Sequence, residues 1–378
     1  MIYLFWTSVA LLLLTYLGYP LLLSLAAAIK KTTRFGAATE LPSVALIISA
    51  YNEEKVIADK LKNSLALDYP PDKLQIIVVS DGSTDATNEI VRSFEDKNVK
   101  LIVVQGRGGK THALNEVLPT LTTQVVVFSD ANSMYHSNAI KRLTDHFNDP
   151  KVGAVCGELV LTDSENGTAK SEGLYWRYEQ MLKKLESKIG RLTTFNGAIY
   201  ALRRELHKPM FPGAANDFQH ALQLAARKHK SVYEPNAQAY EESGDNNQVE
   251  FRRRVRIIAR GWYGLTANIA VLNPFNVGFF TVQIICHKLL RWLGPVFMLL
   301  AFISNIFLLD MPLYQLAFIA QAIFYLLAIL GKHLTVKPMA FAHYFCLINW
   351  AALLGFIRFL RRQDASVWVP TTHSQKES

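Results

Sequence analysis

Four stretches of this chain contain no Asp, Glu, Lys or Arg: residues 1–29, 292–309, 313–331 and 339–357. Each is at least 18 residues long and consists mainly of apolar side chains. An uncharged apolar run of about 18 residues is long enough for a helix to cross a bilayer. Charged residues make up only 19% of the 378, below the roughly 25% of an ordinary soluble domain. A wholly soluble enzyme, a disordered chain and a disulfide-bonded secreted scaffold are thereby excluded. Cys156, Cys286 and Cys346 have no metal or redox spacing and read as packing residues.

The first apolar run carries no positive charge at its start and exceeds the roughly 7–15 residues of a signal-peptide core. Residues 1–29 therefore read as a retained transmembrane anchor. Lys30, Lys31 and Arg34 follow it, which puts Met1 outside and the next segment in the cytoplasm. From residue 40 to 250 the pattern changes. Ser43–Ser49, Leu74–Ser80, Lys100–Gln105 and Val125–Ser129 are apolar, β-rich runs, and between them lie helical-period stretches such as Glu53–Leu67 and Asp85–Phe94. Strands apolar on both faces, separated by helices, predict an α/β domain with a mainly parallel sheet. Beyond it, Arg252, Arg253, Arg254, Arg256 and Arg260 crowd one helix length. Residues 275–291, apolar but carrying His287, Lys288 and Arg291, suit an amphipathic helix lying in the membrane interface. A membrane region over 292–358 and a polar tail over 359–378 complete the chain. The net charge of +9 suits contact with anionic membrane lipids. Nucleic acid is not expected as a partner, because the Arg cluster lacks interleaved aromatic residues.

Three acidic turns follow predicted strands: Ser49–Glu54 (SAYNEE), Asp81–Asp85 (DGSTD) and Asp130–Ser133 (DANS). Helix capping would account for any one alone. Together they should meet where parallel sheets bind ligands, at the carboxyl ends of the strands. Gly109-Lys110-Thr111 has the ending of a phosphate loop, but Val104 stands where the first glycine is needed. The turn can still favour an anion, with Lys110 beside it. Asn196-Gly197 lies in a strand-like run (FNGAIYALRR), and Asp217 opens a predicted helix. A first-turn carboxylate there suits the helix dipole whether or not it has another role.

In their order, AYNEE, VVSDGSTD, GRGGKTHALN, FSDANS, GLYWRYE, NGAIYALRRE, AANDF and RRVRIIARGW resemble a membrane-embedded family 2 glycosyltransferase. The likeness is to polysaccharide synthases of the poly-N-acetylglucosamine, hyaluronan and cellulose type, and it covers residues 40–265. It implies a GT-A fold, flanked by transmembrane helices, that transfers sugar with inversion from a nucleotide-sugar donor to a membrane-associated glycan or lipid. By this resemblance Ala50, Asn52, Glu53, Asp81, Lys110 and Asp130 bind the donor nucleotide. Asp130 and Asn132 hold Mg²⁺ or Mn²⁺, Asn196 and Gly197 face the acceptor, and Asp217 is the catalytic base. Arg260 and Trp262 close over the pyrophosphate.

The sequence departs from the family pattern twice. Asn132 replaces the second Asp of the Asp-x-Asp motif, so one metal ligand is uncharged. In the Gln-x-x-Arg-Trp motif of processive synthases, Ile257 holds the Gln position and Gly261 the Trp position, with Trp262 one residue late. Single addition to a lipid carrier is the alternative this favours. A nucleotide-sensing transporter would need polar or ionisable groups within its spans; those there, such as Asn305, Gln321, His343 and Asn349, are few and suit helix contacts.

Overall fold

A computed structural model describes residues 1–30, 40–162, 168–242, 247–332, 334 and 336–363. Arg34, His333, Trp368 and most of the polar tail lie outside them. A helix α1 (Ile2–Ile29) leads into the α/β domain. There the order is β1 (Val44–Ala50), α2 (Ile57–Leu65), β2 (Leu74–Ser80), α3 (Thr87–Arg92), β3 (Val99–Val103), α4 (Lys110–Val117), β4 (Val125–Asp130), β5 (Met134–Tyr135) and α5 (Ala139–Thr144). Then follow β6 (Val152–Thr162), α6 (Thr168–Ile189), β7 (Ile199–Arg203), α7 (Asn216–Ala226), β8 (Lys230–Glu242) and α8 (Asn247–Ala267). A short α9 (Pro274–Val277) precedes α10 (Phe280–Ile306), α11 (Pro312–Leu330) and α12 (Lys337–Leu360).

The eight strands form one sheet in the order β3-β2-β1-β4-β7-β6-β8-β5. The half from β3 to β4 is parallel, as the uniformly apolar strands predict. Period-two alternation divides its side chains between two cores. Val44, Leu46 and Ile48 pack with Ile57 and Leu61 of α2 on one face. Ala45 and Ile47 pack with Leu114 of α4 and Leu224 of α7 on the other. The far half is mixed: β7 runs antiparallel to both β4 and β6, while β8 pairs parallel with β6. The repeating strand–helix pattern stops at β4, so local periodicity could not disclose these pairings.

Among the described residues, four helices, α1, α10, α11 and α12, are long and apolar enough to cross a membrane. One boundary differs from expectation. The segment 275–291 is not a separate interfacial helix, because α10 runs unbroken from Phe280 to Ile306 through a π-helical turn at Ile285–Leu289. Its charges, read from sequence as facing water, instead meet α6. Arg291 donates to Glu179, His287 pairs with Glu186 at 2.7 Å, and the Tyr19 hydroxyl of α1 donates to the same Glu186 oxygen at 2.6 Å. Buried charge paired in this way no longer requires a watery helix face.

The last helix, α12, meets α11 near its start and α8 near its end. His343 Nδ1 donates to the Ala328 carbonyl near the end of α11. Sixteen residues later, Phe359 stacks on Trp262 of α8, with ring centroids 5.8 Å apart.

Candidate active site

Sheet register brings the three acidic turns together. Ala50 pairs with Ser80, and Ser49 with Asp130, so β1, β2 and β4 end side by side. The first two turns are laced by hydrogen bonds. Asn52, in the left-handed region at φ 53°, accepts the Thr84 N–H at 2.8 Å through Oδ1. Its own N–H donates to Ser83 Oγ at 3.2 Å, and the Glu53 N–H donates to Thr87 Oγ1 at 2.8 Å. Gly82, at φ 73°, permits the reversal between these contacts.

Asp81 is buried, and its Oδ2 accepts the Gly109 N–H at 2.8 Å. Its Oδ1 is buried without a partner among the described residues. Burial raises the Asp81 carboxyl above its ordinary range, against the nearby N–H groups of Gly109 and Gly108. A buried acceptor left open at a strand end is suited to a ligand N–H.

Lys110, at the start of α4, pairs with the Asp130 carboxylate and also reaches the Gly197 carbonyl at 3.4 Å. A Cβ at Gly197 would lie 3.6 Å from Asp217 Oδ2, an ordinary van der Waals distance, so Gly197 and this carboxylate are neighbours. Asp217 sits in the first turn of α7 and is half-buried. The helix terminus suggested a favoured ionised form, but the balance is different. Burial raises the carboxyl above its ordinary range, with Lys110, the Phe218 N–H and Arg260 acting in the opposite direction. Arg260 donates to Thr111 Oγ1 at 3.0 Å and to the Ala214 carbonyl at 2.8 Å, fixing the turn that leads to Asp217.

Two of the expected site residues are engaged elsewhere. Trp262 is buried among Trp292, Phe356 and Phe359. Two residues of helix are about 200° of rotation, so Trp262 and Arg260 leave α8 on opposite faces. Asn196 receives the Lys183 ammonium on Oδ1 and donates Nδ2 to the Gly157 carbonyl at 2.6 Å, so its amide ties β6 to α6. Ala50 is buried at the end of β1 and contributes backbone.

As a metal site, Asp130 offers a part-exposed carboxylate and the half-buried Asn132 lies two residues on. Among the described residues, no three His, Cys, Asp or Glu side chains gather to hold an ion unaided. Burial followed by the charge of Asp130 pushes Glu53 up to about 8, and Glu241 is raised by the same two causes. Both carboxyls face the charge of Asp130, which a hard cation sharing substrate phosphate oxygens would offset.

Sequence reasoning missed a buried polar chain beneath Asp217. Asn216 Nδ2 donates to Tyr200 Oη at 2.7 Å, and the Tyr200 hydroxyl donates to His220 Nδ1, 3.0 Å away. His220 Nε2–H then donates to His207 Nδ1 at 3.2 Å. Burial lowers both imidazoles, His207 to about 4, so both are neutral at pH 7. The Tyr200 ring stacks on Phe128, 4.3 Å between centroids, two residues before Asp130. The available signal was the i, i+4 spacing of Asn216 and His220, which sets them on one helix face.

Residues 42–259 match the family model described as Glycosyltransferase like family 2. The probable glycosyltransferase YdaM of Bacillus subtilis (strain 168) is 29% identical over 262 residues, 65% of this chain and 59% of that protein. The poly-beta-1,6-N-acetyl-D-glucosamine synthase of Staphylococcus aureus (strain COL) is 29% identical over 168 residues, 44% of this chain and 40% of the synthase. The chain thus spans less than two thirds of the length of these curated relatives. Among solved structures, the mannosyltransferase PcManGT of Pyrobaculum calidifontis, in complex with GDP-Man and Mn²⁺, superposes with a TM-score of 0.73 at 22% identity. The match covers 95% of this chain and 99% of PcManGT.

Proposed function

The chain belongs to the glycosyltransferase-like family 2 and has the GT-A fold, and on that premise we propose that it transfers sugar, with inversion, from a UDP-sugar to a membrane-associated glycan or lipid. The observation that carries this reading is Lys110, placed between Asp130 on the donor side and Gly197, against which Asp217 lies. Asp81 and Asn52 take the nucleoside, with the open Asp81 Oδ1 accepting an N–H of the base. Asp217 accepts the proton of the acceptor hydroxyl, and Lys110 faces charge developing on the leaving diphosphate. Mg²⁺ or Mn²⁺ held by Asp130 and Asn132 would share that electrostatic task. Arg260 acts from behind, by holding the Ala214 turn.

Single addition rather than polymerisation is supported by the burial of Trp262 away from Arg260. For topology, α1, α10 and α11 cross the membrane and the catalytic domain is cytoplasmic. The contacts of α12 with α8 towards both its ends, Arg254 donating to Tyr344 Oη at 2.7 Å and Trp262 stacking on Phe359, support a shallow or re-entrant last helix. Membrane lipids are its remaining partner. The test offers purified chain in lipid nanodiscs a panel of UDP- and GDP-sugars and measures nucleoside diphosphate release. Product size then separates one addition from many. No release with any donor, from a folded sample supplied with membrane lipid, would falsify the activity.

A further inference from the structure

A pocket of about 590 Å³ opens where three elements meet, within the size range of small-ligand sites. Phe211 enters from the loop before α7, Tyr263 and Thr266 come from α8, and Phe359, Leu360 and Arg362 come from the end of α12. Each wall leads to a different task. The loop through Phe211 reaches Asp217 within six residues, α8 carries Arg260 less than a turn before Tyr263, and α12 is one of the four apolar helices.

The lining selects for hydrocarbon. Tyr263 lies edge-on to Phe359, with centroids 4.9 Å apart, and Phe211 lies 5.9 Å from Tyr263. Phe211 is 48% exposed and Leu360 60% exposed, so apolar surface is left open at this mouth. A glycan would need several free hydrogen-bonding groups, but Thr266 Oγ1 is already bonded to the Trp262 and Tyr263 carbonyls at 3.0 Å each. Arg362, which also lines the pocket, supplies its cation.

Resting on the transferase reading above, we propose that this pocket receives the hydrocarbon chain of an amphiphilic acceptor whose phosphate meets Arg362 and whose hydroxyl-bearing head then reaches Asp217. The acceptor class is thus a phosphate-containing lipid rather than a free glycan.

The test uses the full chain in phosphatidylcholine nanodiscs with a photoactivatable diazirine-acyl phosphatidic acid, and cross-linked peptides are mapped by mass spectrometry. Label is expected on the peptides holding Tyr263–Thr266 and Phe359–Arg362. Thr266→Trp, which fills the pocket, should reduce it about tenfold, the loss of roughly one decade of affinity. Label confined to α10 and α11, or unchanged in Thr266→Trp, would overturn the pocket. Equal labelling by the matching diazirine-acyl diacylglycerol would overturn the phosphate assignment. Displacement by soluble oligosaccharide would overturn the choice of lipid over glycan. Labelling needs no turnover, so nucleoside diphosphate release without pocket label sinks this inference alone. Pocket label without release sinks the activity alone.

Discussion

The Lys110 ammonium pairs with the Asp130 carboxylate, joining the first turn of α4 to the end of β4. The pair is part-buried, so the lysine cannot be removed without leaving the carboxylate short of a partner. It also links the donor half of the site to the strand that approaches Asp217.

Asp81→Ala and Asp130→Ala should therefore fail differently. On the proposed reading Asp81 would contact the nucleoside in ground and transition states alike, so its loss should mainly raise the donor KM. On the same reading Asp130 would act where diphosphate charge develops, so its loss should lower kcat by about 10²–10³-fold. Steady-state kinetics with the active nucleotide sugar separates the two. Activity that persists unchanged in EDTA would remove the metal from Asp130.

Asp217→Asn keeps the shape of the first turn of α7 and removes the proton acceptor. A loss of about 10²–10⁴-fold in kcat is expected, with nucleotide affinity near normal. A variant that keeps more than about a tenth of wild-type kcat excludes the base role. Because burial raises this carboxyl, the acid limb of the kcat profile should lie above the roughly 3.9 of an ordinary Asp. Activity rises with pH through that limb as the carboxyl ionises.

The neutral pair His207–His220 gives a stability signature. His207 is held to about 4 in the fold, against 6.5 when unperturbed. Below 6.5 the unfolded chain takes up a proton that the folded chain refuses, so this stabilisation is full above 6.5 and is lost as pH falls towards 4. Melting followed in detergent from pH 7.5 to 4.5 should show a drop that is shallower by a few degrees in His207→Asn. Parallel slopes for the two proteins would refute the account.

Gln363 lies three residues beyond the end of α12 and is exposed. If α12 returns to the cytoplasmic side, Gln363→Cys should resist an impermeant thiol reagent on intact cells and react after permeabilisation. Ready labelling of intact cells would make α12 a full crossing.

Much of this architecture was legible because it is local. β1, β2 and β4 are apolar on both faces, and their last residues are the acidic turns, so both the parallel half and its ligand edge follow from period and spacing. Asp217 was legible as a first-turn carboxylate. Its raised carboxyl was not, since the burial that raises it is made by tertiary packing, and the opposing charges of Lys110 and Arg260 come from 107 and 43 residues away in the chain. The hydrogen-bond partners of Asn196 were not legible for the same reason: Lys183 lies on a helix whose docking no local pattern specifies. His287 and Arg291 looked solvated because their partners, Glu186 and Glu179, come from more than 100 residues earlier.

Those partners also bear on how the enzyme could be cut down. Glu186 is fully buried and accepts from Tyr19 of the first helix as well as from the Thr193 N–H. Deleting residues 1–29 would not free a self-sufficient soluble domain. It would strip a hydroxyl from a carboxylate that water cannot easily reach and uncover Leu182 and Cys286, which Tyr19 and Leu23 now cover. The anchor is a structural member of the catalytic body, and the smallest unit expected to fold includes its own membrane helix.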